Sequence, residues 1–241
     1  MRVLAINSSP KMNEGNTAFM LTPFLEGMKE AGANVELLYT SKLKVNPCRG
    51  EYNCFFKTPG SCCQKDDMKM VCSKLREADI WVFATPVYIG GITGPMKNLL
   101  DRIIPLVDPS PFVLLRDGRC GHDLRAGNKV DKVVLVSNCG FWGTDNFDPL
   151  IAYMRDFCQR GINREFAGAL LRPTGRVFRA MMDNGAPADD ILEAAREAGR
   201  QLVQTGKMSP ETLDIISREV VPLDAYVQKT NEMFQQALEE D

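Results

Sequence analysis

Short apolar runs alternate with helical patterns along most of the chain, and this alternation constrains the fold more than any other feature. The runs that resemble buried strands are Arg2–Ile6, Asn34–Tyr39, Ala78–Ala84, Lys132–Ser137 and Glu165–Leu171. The helical patterns are Ala18–Lys29, Met68–Arg76, Thr93–Ile104, Phe147–Arg160 and Ala188–Thr205. Strands that are separated by helices form a parallel sheet, because parallel neighbours need a crossover connection. The sequence therefore predicts an α/β fold with a doubly wound, five-stranded parallel sheet.

The rhythm of these strands fits the order 2-1-3-4-5, which is that of the flavodoxin-like fold. In such sheets a ligand lies outside the carboxyl ends of the strands, where the strand order reverses. This rule selects the loops 7–17, 85–91 and 137–143 as one candidate site. We expect a long polar loop at residues 105–130 and extra C-terminal helices at Pro210–Ser217 and Leu223–Leu238.

The predicted domain organisation is one main domain with an extension. Residues 1–206 are expected to form the flavodoxin-like domain, with a cysteine-rich insertion at 41–67. Residues 207–241 are expected to form a C-terminal helical extension.

Composition excludes several classes of function. The 241 residues include 29 Lys and Arg against 31 Asp and Glu, a net charge of −2, which argues against nucleic-acid binding. No apolar run reaches the length of a membrane span, and the first strand begins at once, so we expect no signal peptide and a cytoplasmic location. Eight cysteines in such a chain indicate free thiols, metal ligands or redox groups, since a secreted disulfide framework is not expected.

The first loop has the composition of a phosphate site. A helix N-terminus has free N–H groups and a positive dipole end, and both favour a bound phosphate. Ser8, Ser9, Asn16 and Thr17 add neutral donors, and Lys11 adds one charge. The loop has neither a GxGxxG fingerprint nor a GxxxxGK[ST] P-loop, and donors of this kind are typical of a flavin mononucleotide site. The alternative is a capped turn that binds nothing.

The other two loops can contact a flat ring. Pro86 fixes a turn, Gly90 lets backbone approach a ligand closely, and Tyr88 can stack on or flank a ring. The alternative is a strand-end turn whose tyrosine covers a core edge. Phe141 and Trp142 lie between two glycines and indicate a ligand wall, a subunit contact or core packing.

Four cysteines cluster in the predicted insertion, at Cys48, Cys54, Cys62 and Cys63. Iron–sulfur clusters are usually held by four thiolates from closely spaced positions. Spacings of five, seven and no residues leave an iron–sulfur cluster, a zinc site and a redox cysteine pair open as alternatives.

Three segments together resemble the family of NADPH-dependent FMN reductases and iron–sulfur flavoproteins. They read SSPKMNEGNT, PCRGEYNC followed by GSCCQKDDM, and ATPVYIGGITGPMKNLLDR, within a resemblance that covers roughly residues 1–175. The resemblance implies a flavodoxin-like fold, bound FMN, NAD(P)H as co-substrate, and a homodimer or homotetramer with flavin near a subunit interface. The residues that match the phosphate loop are Ser9, Lys11, Asn16 and Thr17. Those that match the ring loops are Pro86, Val87, Tyr88, Ile89 and Gly90, then Ser137, Asn138, Cys139 and Gly140.

One departure from the family pattern concerns the metal. Iron–sulfur flavoproteins carry CxxCxxC and a fourth cysteine before a KDDM-like segment. Cys48 and Cys54 match the first and third cysteines and Cys62 the fourth, but Glu51 occupies the second position. Carboxylate is a poor substitute for thiolate on iron, so the departure disfavours an intact [4Fe–4S] cluster.

The function predicted from these features is that of an FMN-dependent oxidoreductase. NAD(P)H would reduce the flavin, which would pass electrons to a quinone, a nitro compound, a flavin or a metal ion. We expect no side-chain acid or base of the usual kind, because the cofactor carries the chemistry. Two alternatives stay open: an iron–sulfur flavoprotein electron carrier that uses ferredoxin, and a non-redox nucleotide-binding or assembly module.

Overall fold

The computed structural model describes residues 1–114, 118–159 and 164–239. Five parallel strands form the central sheet: β1 (Arg2–Asn7), β2 (Asn34–Tyr39), β3 (Ile80–Pro86), β6 (Lys132–Asn138) and β7 (Glu165–Arg172). Their order is β2-β1-β3-β6-β7, which is 2-1-3-4-5 when the strands of this sheet alone are counted. The predicted sheet and its strand order are therefore confirmed.

Helices cover the sheet on both faces. The helices are α1 (Asn16–Glu30), α2 (Asn53–Phe56), α3 (Met68–Glu77), α4 (Gly94–Asp101), α5 (Asp148–Gln159), α6 (Gly175–Asp183), α7 (Asp189–Thr205), α8 (Pro210–Ser217) and α9 (Leu223–Glu239). Side chains along each strand point alternately to the two faces. In β3, for example, Val82 faces the core with α1 and α7, and Phe83 faces the core with α3, α4 and α5. A strand that is buried on both faces explains the continuous apolar runs of the sequence.

Helices α1 and α7 pack closely because two glycines face the opposite backbone. A Cβ placed on Gly27 would lie 1.8 Å from the carbonyl oxygen of Arg196, and one on Gly199 would lie 2.1 Å from that of Phe24. These distances leave no room for any side chain, so the two backbones touch directly. Beside this contact, Arg196 bridges Glu26 and Glu30 of α1 at 2.7 Å each.

A β-hairpin occupies much of the segment that was expected to be a polar loop. Strands β4 (Val107–Leu114) and β5 (Cys120–Leu124) pair in antiparallel fashion and form a separate two-stranded sheet. The sequence signal is weak because Pro109 and Pro111 lie inside β4, and proline cannot donate to a ladder. The expectation of an irregular loop at 105–130 is therefore wrong for the described part of this segment.

Several helices begin or end at residues other than the predicted ones. Helix α1 begins at Asn16, two residues before the predicted start, and α4 ends at Asp101, three residues before the predicted end. Arg160, the predicted end of the α5 pattern, lies outside the described residues. Helix α6 is not predicted from the sequence.

The predicted C-terminal helices are present, and the first of them is bound to the sheet. Arg172, at the end of β7, is buried and donates to the carbonyl oxygens of Ile216 and Arg218 at 2.6 Å each. Helix α9 has no buried residue. The domain boundary at residues 206 and 207 stays a prediction. Across the described ranges, no helix combines the length and apolarity needed to cross a membrane.

Candidate active site

The first loop follows β1 and contains two buried serines. Ser8 and Ser9 are buried, while Lys11 is exposed. Ser8 Oγ donates to the carbonyl oxygen of Ala84 at 3.2 Å and accepts from Thr93 Oγ1 at 2.8 Å. Ser8 thus ties β1 to β3 and α4 inside the protein. Ser9 Oγ makes no hydrogen bond within the described residues, which leaves it available as a donor.

Helix α1 begins with an open N-terminus. Its N-cap is Gly15, in extended conformation, and no side chain caps the helix. Asn16 and Thr17 lie within the first turn, so neither residue caps the helix. A Cβ on Gly15 would lie 2.5 Å from Ser9 Oγ, so glycine is what allows the serine to sit against the helix start. The first N–H groups of α1 and the Ser9 hydroxyl therefore meet at one place.

Hydrogen bonds join the three predicted loops into one structure. Thr17 Oγ1 donates to Asn138 Oδ1 at 2.6 Å, which links α1 to the end of β6. The N–H of Val87 donates to the carbonyl oxygen of Asn138 at 2.9 Å, which links the second loop to the third. Asn138 thus holds the first and second loops in fixed positions relative to each other.

The second loop is a tight turn that projects into solvent. The N–H of Tyr88 donates to Gly91 and the N–H of Gly91 donates to Tyr88, at 3.0 and 3.1 Å. Ile89 and Gly90, the two central residues, have φ of +47° and +71°, as a type I′ turn requires. A β-branched residue rarely adopts positive φ, and strain of this kind concentrates at functional sites. Tyr88 is 52% exposed and Ile89 is fully exposed, so neither serves the core.

The third loop is more buried than a ligand wall requires. Ser137, Asn138 and Cys139 are buried, and Ser137 Oγ donates to the carbonyl oxygen of Thr85 at 2.7 Å. Burial raises the pKa of the Cys139 thiol, which makes it a small apolar side chain in practice. Gly140 is exposed, and a Cβ added there would meet no atom within 4 Å. Of these four residues, Gly140 is the one that offers its backbone to a ligand.

The two aromatic residues after Gly140 differ in their surroundings, because Trp142 is hydrogen-bonded and Phe141 is exposed. Trp142 Nε1 donates to the carbonyl oxygen of Val221 at 2.9 Å, which anchors the C-terminal segment. Phe141 is 69% exposed. Tyr226, a residue that the sequence did not single out, donates through its hydroxyl to the carbonyl oxygen of Gly140 at 2.7 Å.

Two thiols of the cysteine-rich segment, those of Cys62 and Cys63, form hydrogen bonds with other side chains. Cys63 Sγ donates to Glu51 Oε1 at 2.6 Å, and the Glu51 carboxylate raises the pKa of this thiol. Arg102 Nη2 donates to Cys62 Sγ at 3.3 Å. Burial and the neighbouring Cys62 raise the pKa of Cys54.

The metal candidates Cys48, Cys54 and Cys62 lie near one another, since Cys62 and Cys48 both raise the pKa of Cys54. Among the residues that the structure describes, no group of three or more His, Cys, Asp or Glu is arranged to hold a metal ion. The donor set does not fit a four-thiolate cluster either, because Glu51 occupies the second position and bonds to Cys63.

A buried ion pair fixes the cysteine-rich segment against α4. Arg102 donates from both Nη atoms to Asp66, at 2.8 and 3.0 Å, and both side chains are almost fully buried. Arg102 also donates to the carbonyl oxygen of Asn46 at 2.6 Å. No local sequence pattern predicts this pair, because its members are 36 residues apart.

Comparison with known families agrees with this geometry. Residues 1–114 match the model of the NADPH-dependent FMN reductase family. An iron–sulfur flavoprotein of Archaeoglobus fulgidus is 41% identical over 102 residues, which are 42% of this chain and 48% of the relative. An iron–sulfur flavoprotein of Methanocaldococcus jannaschii is 35% identical over 136 residues, 56% of this chain and 62% of the relative. The chain thus spans about half to three fifths of the length of these relatives, and over this part the resemblance predicted from the sequence is confirmed.

Solved structures share the fold. An FMN-dependent NADH-azoreductase from Bacillus anthracis, in complex with FMN, superposes with a TM-score of 0.60 at 16% identity, over 84% of this chain and 99% of that one. An NAD(P)H:quinone oxidoreductase from Methanothermobacter marburgensis gives 0.55 at 17% identity, over 84% and 96%. At such identities the likeness establishes the fold alone.

Proposed function

We propose that this chain is an FMN-dependent NAD(P)H oxidoreductase that passes electrons to a small-molecule acceptor. The observation that carries the proposal is the convergence of three loops at the carboxyl ends of β1, β3 and β6. Asn138 joins two of them directly through its bonds to Thr17 and Val87. The family match at residues 1–114 supports the same activity, and the names of the relatives support a bound flavin. The acceptor class, a quinone, a nitro compound, a flavin or a metal ion, belongs to the proposal.

The residues at the α1 N-terminus fit a phosphate. The helix start is uncapped, Ser9 Oγ has no protein partner in the described residues, and Gly15 keeps the space between them open. Asn16 and Thr17 bring the first N–H groups of the helix, and exposed Lys11 brings a positive charge. We assign these residues, together with Ser8 as a support, to the phosphate of FMN.

The residues of the second and third loops fit a flat ring. Pro86 ends β3, and the turn that follows Val87 exposes the side chains of Tyr88 and Ile89. The N–H groups of Ile89 and Gly90 make no backbone hydrogen bond within the described residues. In the third loop, Gly140 offers an open backbone, while Ser137, Asn138 and Cys139 hold that backbone in place. We assign these loops to the flavin ring.

When bound, FMN would supply the hydride and electron transfer chemistry that side chains cannot provide. The work of the chain is then to bind and orient. The bond between Thr17 and Asn138 sets the distance between the phosphate loop and the ring loops. The N–H groups of Ile89 and Gly90, which the turn leaves without a backbone partner in the described residues, can stabilise negative charge at a ring edge, since oriented N–H groups favour an anion.

The relatives are named iron–sulfur flavoproteins, and this keeps open the alternative of an electron carrier that uses ferredoxin. That function needs a cluster. In the cysteine-rich segment Glu51 occupies the place of the second cysteine and accepts a hydrogen bond from Cys63, so we favour the flavin acting without a cluster. The non-redox alternative, a nucleotide-binding or assembly module, requires that no FMN be taken up.

A visible spectrum of the anaerobically purified full chain, with an FMN titration and an assay of iron and acid-labile sulfide, tests all three functions. We expect one FMN per chain, a flavin spectrum that bleaches with NADH or NADPH, and no stoichiometric iron. A protein that takes up no FMN would overturn the proposal. Stoichiometric iron and sulfide would favour the ferredoxin alternative.

We propose further that the chain is a homodimer or a homotetramer. Helix α9 carries apolar side chains that are exposed, among them Leu223 at 46%, Val227 at 47% and Leu238 at 78%. An apolar helix face in water marks an interaction site. A chain that ends at Pro222 should show a lower oligomeric state in sedimentation velocity than the full chain, and an unchanged state would contradict this assignment.

A further inference from the structure

An open groove of about 750 Å³ lies between α6 and α9, directly beside the third loop. Gly140 and Phe141 of the third loop line it. Tyr226 also lines it, and its hydroxyl donates to the carbonyl oxygen of Gly140 at 2.7 Å. The groove and the predicted flavin site therefore share the backbone of one loop. Its volume is within the range of small-molecule sites.

The walls of the groove are mostly apolar. Phe141 and Phe234 are 69% and 57% exposed, and Met181 of α6 and Met233 of α9 also line the groove. Aromatic and methionine side chains bind flat apolar molecules well, because rings stack and thioethers adapt their shape. This composition favours a planar aromatic ligand.

The charges of the groove have one sign. Arg176 and Lys229 line it, and within the described residues neither forms an ion pair or a side-chain hydrogen bond. By contrast, Arg179, one turn further along α6, is paired with Asp183. Among the described residues that line the groove there is no Asp or Glu. A guanidinium and an ammonium without partners favour an anionic group on the ligand.

We propose that this groove binds the electron acceptor, and that the acceptor is a planar aromatic anion. The inference rests on the proposed function, because it places the acceptor beside the loop assigned to the flavin ring. For a quinone of this class the balance is simple. NAD(P)H gives up two electrons and one proton and becomes NAD(P)⁺, and the quinone takes two electrons and two protons, the second proton from solvent.

Binding of anthraquinone-2-sulfonate to the oxidised, FMN-loaded protein, measured by calorimetry without NAD(P)H, tests the groove. The variant Arg176→Gln/Lys229→Gln removes both charges. The matched control Arg155→Gln/Lys207→Gln removes two exposed cations outside the groove. We expect one site per chain, at least tenfold weaker binding in the groove variant, and unchanged binding in the control. A neutral anthraquinone carrying a hydroxymethyl group should bind both variants and the wild type alike.

The outcomes separate this inference from the proposed function. FMN uptake without sulfonate binding, or sulfonate binding that the groove variant does not weaken, overturns the acceptor site and leaves the proposed function intact. Sulfonate binding with no FMN uptake overturns the proposed function, and the role as acceptor falls with it. Sedimentation velocity adds one more outcome: if the sulfonate binds only as a dimer dissociates, the groove is a subunit interface and the inference is wrong.

Discussion

Arg102 and Asp66 form a bidentate ion pair that is almost completely shielded from water, with N–O distances of 2.8 and 3.0 Å. The pair joins the end of α4, which follows the ring loop, to the cysteine-rich segment. Burial by itself would raise the pKa of Asp66, but hydrogen bonds from Arg102 and from the backbone of Asn46 and Met68 lower it overall.

Replacing this carboxylate should cost stability in a manner that depends on pH. Asp66→Asn leaves a buried guanidinium without its counterion, and we expect the free energy of unfolding at neutral pH to fall by ~3–5 kcal/mol. Because the pKa in the folded state lies below the ordinary 3.8, the contribution is complete above that value. It is lost as the pH falls through the folded pKa, so the two proteins should converge in acid.

Urea denaturation of both proteins over a series of pH values measures this difference. Asp214→Asn, which changes an exposed aspartate of α8, is the control and should unfold like the wild type. A gap between Asp66→Asn and wild type that stays constant into acid would show that the ion pair is not its source.

Loss of the bond between Thr17 and Asn138 should weaken FMN binding. Thr17→Val keeps the shape of the side chain but leaves the buried Asn138 Oδ1 without its 2.6 Å donor. We expect a loss of ~1–3 kcal/mol in stability and an FMN dissociation constant raised about tenfold. Flavin fluorescence titration measures the second effect. Thr22→Val, at an exposed position of the same helix, should change neither quantity.

A methyl group at Gly15 should disturb the phosphate site without unfolding the protein. Its φ of −81° suits alanine, but the added Cβ would lie 2.5 Å from Ser9 Oγ and force that hydroxyl to move. We expect Gly15→Ala to bind FMN about tenfold more weakly, which is ~1.4 kcal/mol. Gly94→Ala is the control, since a Cβ there meets nothing within 4 Å. Equal affinity in the two variants would remove Ser9 from the phosphate site.

Restoring the missing thiol should restore a metal centre. Glu51→Cys completes the CxxCxxC pattern and releases Cys63 from its 2.6 Å bond to the carboxylate. After anaerobic reconstitution we expect this variant to hold about four iron atoms per chain, and the wild type and Glu51→Ser to hold far fewer. Iron and sulfide assays with visible spectra measure the difference. A wild type that reconstitutes as fully as the variant would show that Glu51 does not block a cluster.

The sheet could be predicted because its strands are local and strongly apolar. Runs such as Ala78–Ala84 carry their own signal, and the rule that ligands lie at the carboxyl ends of strands then selects the loops. The hairpin β4–β5 could not be predicted in this way, since its prolines and polar residues contradict an ordinary strand pattern.

Contacts between residues that are far apart in the sequence cannot be predicted from local patterns of this kind. Thr93, which bonds to Ser8, and Tyr226, which bonds to Gly140, join elements that are 85 and 86 residues apart. One local signal did exist for Thr93: threonine followed by Gly-Pro is typical of a helix N-cap, and Thr93 accepts from the N–H of Met96 at 3.4 Å. Nothing comparable marks Tyr226.

The close packing of α1 and α7 at Gly27 and Gly199 has a consequence for how the protein would lose a ligand. Helix α1 presents its first turn to the loops at one end and meets the backbone of α7 at Phe24, Gly27 and Met28. A rise in temperature that parts the two helices would also loosen that first turn, because the same helix carries both contacts. The release of flavin, followed by its fluorescence during heating, would then report on the loss of a helix contact that lies far from the ligand.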